Sequence, residues 1–181
     1  MFCSQGGAER FARLNMPQLI SREEALSRIR AEGGSPPCLM CAINARRVGA
    51  VYCIFEDEEM IVMLPRYVRR WGHVQVTPKA HFTSYSAVEP ALWARAGSLA
   101  HRAARLVETV MRPRRVYIAS TGSSAGELTQ SSMHLHIHVI PLYELDDKPA
   151  DIFSWEPGIF IAEHAEWEAL QQRYRDAWEH A

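Results

Sequence analysis

The stretch Met133-His134-Leu135-His136-Ile137-His138-Val139-Ile140-Pro141 alternates three imidazoles with apolar residues. In an extended strand successive side chains point to opposite faces. His134, His136 and His138 are therefore expected on one face at about 7 Å intervals, with Leu135, Ile137 and Val139 turned toward a core. The chain must build a sheet in which one strand presents three imidazoles in a row. Imidazole, with an ordinary pKa of about 6.5, serves near neutrality as nucleophile, general acid or base, or metal ligand. The residues alone leave two uses open, a nucleophile that attacks phosphorus or a metal-binding strand of the kind seen in cupins.

Upstream, Gly72-His73-Val74-Gln75-Val76-Thr77-Pro78-Lys79-Ala80-His81 places a glycine-histidine pair before an apolar strand and a proline-lysine step. Together the two segments resemble the signature of the histidine triad (HIT) superfamily of nucleotidyl hydrolases and transferases, over roughly residues 38–142. The resemblance implies an α+β, HIT-like fold: an antiparallel β-sheet of about five strands with a long helix packed on it, with N- and C-terminal helices added here. It implies an enzyme that is a homodimer, as in much of the family, and acts on a small-molecule nucleotide or other phosphorylated substrate. By the same resemblance His136 is the nucleophile, and His138 and His73 contact or orient the phosphate. Ser131 supplies a hydroxyl to the phosphate or leaving group, and Gln130 and Ser120 join His73 and Ser131 in binding substrate.

Cys38-x-x-Cys41 is the second constellation. Two thiolates at this spacing commonly form half of a tetrahedral zinc site. A redox pair and two incidental thiols are the competing readings, and Pro36-Pro37 just before the motif does not look like the strand-to-helix entry a redox pair needs. Certain HIT relatives, including galactose-phosphate uridylyltransferases, carry a zinc site whose remaining ligands match His81 and His134 here. The resemblance thus implies a structural zinc held by Cys38, Cys41, His81 and His134.

Along the chain, residues 1–20 read as a loosely patterned arm. Ser21-x-x-Glu24 has capping-box spacing and opens a helix that stops at Gly33-Gly34. Residues 50–55 and 60–64 read as a hairpin around Glu56-Asp57-Glu58-Glu59, and residues 72–77 as a third strand. Leu92, Ala96, Leu99, Ala103, Leu106 and Val110 recur at helical steps and predict a long helix over residues 89–111. Residues 116–119 form a short fourth strand before the triad strand, and Trp167, Leu170, Tyr174 and Trp178 mark a C-terminal helix. The boundaries expected are an N-terminal arm and helix over 1–37, a HIT domain over 38–145, and an aromatic loop and helix over 146–181 that packs on it.

Composition excludes more than it assigns. The chain has 181 residues and a net charge of −1, enough for one core and without a nucleic-acid footprint. Arg112-Pro113-Arg114-Arg115 reads as a solvated connector. No apolar run approaches the roughly 18 residues of a membrane span, the N-terminus lacks a secretory pattern, and the cysteines form no disulfide framework, which makes a reducing cytoplasm the expected location.

Two positions depart from the family pattern. The Asp or Asn that often holds a ribose hydroxyl corresponds to Pro65, and the Asn that often opens the loop before the triad corresponds to Ser120. These departures leave room for a non-nucleotide phosphate substrate. A non-catalytic, zinc-structured binding protein is a third reading, motivated by the aromatic C-terminal helix. Arg66, Tyr67, Arg69 and Arg70 offer cations for a phosphate, but the run is expected foremost as a solvated loop.

Overall fold

The computed structural model describes residues 17–33, 38–120, 122, 134–155 and 157–181. The alternating and β-branched runs fold into five strands: β2 (Tyr52–Glu56), β3 (Met60–Leu64), β4 (Val74–Pro78), β5 (Arg115–Ala119) and β6 (Ile137–Leu142). They form one antiparallel sheet in the order β2-β3-β4-β6-β5. The acidic turn closes the hairpin because Asp57 accepts from the amides of Glu59 and Met60, at 2.9 and 2.8 Å. The triad strand is thereby sandwiched between β4 and β5, where Gln75 and Ala119 both stand opposite His138.

The long helix is α3 (Pro90–Met111). Its buried stripe is mostly alanine (Ala96, Ala100, Ala103, Ala104) with Leu106 and Val107, so its backbone lies close against β4 and β6. Helix α5 (His164–Trp178) packs on α3 and β2, and its Trp167, Leu170, Tyr174 and Trp178 join the same core. Burying four such side chains removes several hundred Å² of apolar surface from water, at roughly 25 cal/mol per Å². The aromatic face thus covers this chain's own sheet, leaving the partner-surface reading without its surface.

The flanking segments hold more structure than periodicity suggested. Strand β1 (Gln18–Ile20), inside the expected loose arm, pairs with β7 (Ile159–Ile161) in a separate two-stranded sheet, and Val68 bridges to Phe160 beside it. Helix α1 (Arg22–Gly33) starts where Ser21 Oγ accepts from the Glu24 amide, the capping interaction expected. Short helices α2 (Leu39–Asn44) and α4 (Pro149–Ser154) complete the description. No helix among the described residues is long and apolar enough to cross a membrane.

Strand β6 begins at Ile137, later than expected, so His134 lies before it and His136 at its entry. The Leu135 amide donates to the Phe82 carbonyl at 2.9 Å, which draws this approach toward the segment after β4. The histidines therefore do not form one evenly spaced row.

Candidate active site and metal centre

Two sites share the approach to β6, and His134 belongs to the first. Cys38 caps the N-terminus of α2, and its Sγ accepts from the Cys41 amide at 3.5 Å. His81 follows β4, whose end is tied down by the Lys79 amide donating to the Glu59 carbonyl at 2.7 Å. The Nδ1 atoms of His81 and His134 lie 3.5 and 3.8 Å from Cys38 Sγ, and 3.2 and 3.6 Å from Cys41 Sγ. All four ligand atoms lie within 4.8 Å of one another. A tetrahedral ion with metal–sulfur bonds of about 2.3 Å and metal–nitrogen bonds of about 2.0–2.1 Å sets sulfur and nitrogen about 3.6 Å apart. The observed separations bracket that value.

The donor chemistry agrees. His134 Nε2–H donates to the Pro78 carbonyl at 2.7 Å, which commits its Nδ1 lone pair to the cluster. Burial, then the hydrogen bond and charge of Cys38, push the Cys41 thiol up to about 11, a penalty that a divalent cation among these sulfurs reverses. Four donors would leave a tetrahedral ion no open position, so an ion held here would clasp α2, the end of β4 and the approach to β6 together. Cys38 and Cys41 form no disulfide, and Cys53, outside the cluster, is a buried member of the small core around Met40 and Ile61.

The second site is a chain of three imidazoles. His136 Nδ1 lies 2.7 Å from the His134 carbonyl, His136 Nε2 lies 2.9 Å from His138 Nε2, and His138 Nδ1 lies 3.0 Å from His73 Nε2. Burial is the first cause that lowers all three rings, His136 to about 4 and His73 and His138 well below the usual range, so each is neutral and carries one proton. A carbonyl only accepts, so His136 carries its proton on Nδ1 and has a lone pair on Nε2. His138 must then donate from Nε2 and accept at Nδ1 from His73 Nε2–H. One backbone oxygen fixes the tautomers of the whole chain. Ser120 Oγ donates to the His136 carbonyl at 2.6 Å and steadies the strand from the other side. His136 is 7% exposed, and its Nε2 rests against His138 Nε2.

His73 enters from a held turn. Gly72 before it has φ +88°, and its carbonyl accepts from the Tyr174 hydroxyl at 2.7 Å, while the Trp71 carbonyl accepts from Tyr143 at 2.7 Å. The sequence reading missed these two tyrosines, because hydroxyls that grip a backbone distant in sequence leave no local pattern.

It also misjudged the arginine run. Arg66 and Tyr67 bind Glu32, Arg70 pairs with Asp147, and Val68 is fully buried, so this is a packed connection instead of a solvated loop. Arg69 points inward, 7% exposed, with Nη1 at 3.3 and 3.4 Å from the two nitrogens of His138. Of the other expected site residues, Gln130 and Ser131 lie outside the described residues.

A family model described as HIT domain matches residues 50–145. An uncharacterized 16.1 kDa HIT-like protein of Mycoplasma pneumoniae is 29% identical over 108 residues, 59% of this chain and 72% of that protein. The crystal structure of a hypothetical histidine triad nucleotide-binding protein from Sulfolobus tokodaii superposes with a TM-score of 0.63 at 28% identity, covering 79% of this chain and 93% of that one. A zinc-bound histidine triad family protein from Mycobacterium smegmatis has a TM-score of 0.62 at 24% identity, covering 81% of this chain and 96% of that one, a likeness of fold.

Proposed function

Because the chain belongs to the HIT domain family, we propose that it is a nucleotidyl hydrolase or transferase in which His136 attacks the α-phosphate of a nucleoside phosphoanhydride, ester or phosphoramidate. The supporting observation is the one-way hydrogen-bond chain that ends on the His134 carbonyl and leaves the lone pair of a neutral imidazole on His136 Nε2. An incoming phosphoryl group takes over the His138 Nε2–H bond that His136 holds in this structure. The lone pair then forms the N–P bond as the bond from phosphorus to the leaving group breaks, and the leaving group departs with that electron pair. Water or an acceptor hydroxyl next attacks phosphorus, the N–P bond returns its pair to Nε2, and the attacking oxygen passes its proton to solvent. His73 holds His138 in the donating tautomer. Ser131 is assigned to the phosphate or leaving group, Gln130 and Ser120 to the substrate, and the active species to a homodimer in the cytoplasm.

The metal is zinc, held by Cys38, Cys41, His81 and His134; it supplies a structural clasp and no reacting group. Trapping a labelled nucleotide on the protein by an acid-free quench tests the nucleophile. His136→Ala should fold, bind nucleotide and form no adduct; an adduct of undiminished yield removes His136 from the scheme.

Pro65, standing where many relatives carry a ribose-binding carboxylate or amide, supports a second reading in which the substrate is a non-nucleotide phosphate. A nucleotide at 100 times its dissociation constant adds about 2.7 kcal/mol of stability. A nucleotide panel that leaves the melting temperature unmoved favours this second reading.

A further inference from the structure

The geometry points to Arg69 as an anion-binding catalytic residue that grips the phosphoryl group on His136, adding a cation to the neutral donors assigned to that phosphate. This rests on the phosphoryl-transfer reading above and adds the charge that the three neutral imidazoles lack.

Arg69 is 7% exposed, and among the described residues no carboxylate pairs with it, whereas its neighbours Arg66 and Arg70 pair with Glu32 and Asp147. Its Nε is buried and makes no hydrogen bond among the described residues. The guanidinium lies over Phe153 and Trp155, at 5.6 and 5.3 Å from the ring centroids. Aromatic faces tolerate a cation without neutralising it. Burying a charge with no counterion is costly, and removing the carboxylate partner from a buried pair is among the more destabilising changes a protein meets. A buried, unneutralised guanidinium beside a reactive imidazole is thus a site prepared for an anion that arrives from outside.

The position suits a phosphoryl group. Arg69 Nη1 is 3.3 Å from His138 Nε2, which is in turn 2.9 Å from the attacking nitrogen of His136. A phosphorus about 3–3.5 Å from that nitrogen carries oxygens that reach a guanidinium two such steps away, at charge-assisted distances of about 2.7–2.9 Å. Phosphoryl transfer leaves little covalent chemistry to the protein beyond the nucleophile, and fixed cations on the equatorial oxygens supply much of the acceleration. Aromatic packing on Phe153 and Trp155 holds the fork in place before substrate arrives, so no reorganisation accompanies the reaction. A purely structural Arg69, plugging the gap between α4 and β6, is the rival account.

The test uses the metal-loaded chain of residues 1–181 and Arg69→Met, which keeps length and apolar contact but loses the charge. Two readouts are taken: the rise in melting temperature with inorganic phosphate, and the single-turnover rate of adduct formation from ADP labelled in its α-phosphate. The expected results are a phosphate-induced rise in the parent that vanishes in Arg69→Met, and adduct formation slowed by about 100-fold, the size of losing one oxyanion donor. Arg69→Gln, polar and neutral, carries the same test if the Met variant does not fold. A phosphate response equal in parent and variant, or adduct formation within threefold of the parent, overturns the inference. An Arg69-dependent phosphate response in a protein that forms no adduct from ADP keeps the anion site and counts against nucleotidyl transfer from ADP, so the two failures are distinguishable.

Discussion

Gly72→Ala would place a methyl group where there is no room for one. A Cβ there falls 2.8 Å from Met111 Cγ, 2.9 Å from Met111 Cε and 3.0 Å from the Tyr174 hydroxyl, on a backbone at φ +88°. The left-handed conformation costs a residue with a Cβ roughly 1–2 kcal/mol. Displacing Met111 and Tyr174 adds about 1–3 kcal/mol of overpacking. The stiffer unfolded chain returns about 0.4–1 kcal/mol. The net expectation is a loss of about 1–4.5 kcal/mol, or roughly 2–18 °C in melting temperature for a chain of this size. Urea denaturation should show a lower midpoint with an unchanged m-value. Tyr174→Phe separates the two causes: it removes the 2.7 Å hydrogen bond to the Gly72 carbonyl without adding volume, at a cost of about 1–3 kcal/mol for a buried carbonyl left unpaired. Both variants loosen the turn that aims His73 Nε2 at His138, so the double variant should lose less than the two single losses added together. Stability of Gly72→Ala within about 0.5 kcal/mol of the parent would refute the held turn.

The buried imidazoles make stability pH-dependent. His73, His136 and His138 have folded-state pKa values below the unfolded value near 6.5, so the unfolded chain binds more protons as pH falls through that value. Stability is complete above about pH 6.5 and declines below it, by up to about 1.4 kcal/mol per pH unit for each ring, levelling for His136 near pH 4. His73→Gln should flatten the slope between pH 6.5 and 5 by about one proton, and an unchanged slope counts against a neutral, buried His73. His81 is exposed, so His81→Ala leaves no core cavity; a fall in bound metal toward zero, together with a lower melting temperature, is the expected signature of the clasp. Full metal occupancy in that variant would count against the fourfold site. Ser120→Ala removes the 2.6 Å hydrogen bond to the His136 carbonyl and should cost about 0.5–1.5 kcal/mol with slower adduct formation; unchanged kinetics would show that His136 needs no such brace.

Much of this protein was legible along the chain because its signals are local. Alternation marked β6, the three- and four-residue stripe marked α3 to within a residue, and Cys38-x-x-Cys41 announced half of the metal cluster. The other half rested on a family likeness, and the structure brought His81 and His134 to the expected sulfurs. Periodicity could not say that His134 leaves the histidine row: a single bond from Leu135 to Phe82 turns it toward His81, and that contact spans more than fifty residues.

What sequence alone determined is the set of side chains able to do chemistry and, within a regular strand or helix, the face each takes, since both follow from covalent structure and backbone period. The tertiary structure decided protonation and charge. One carbonyl selects the tautomers of three rings, burial keeps those rings neutral, and of three neighbouring arginines only Arg69 is folded inward without a carboxylate among the described residues. Those properties depend on solvent exclusion and on partners distant along the chain, which no local pattern encodes.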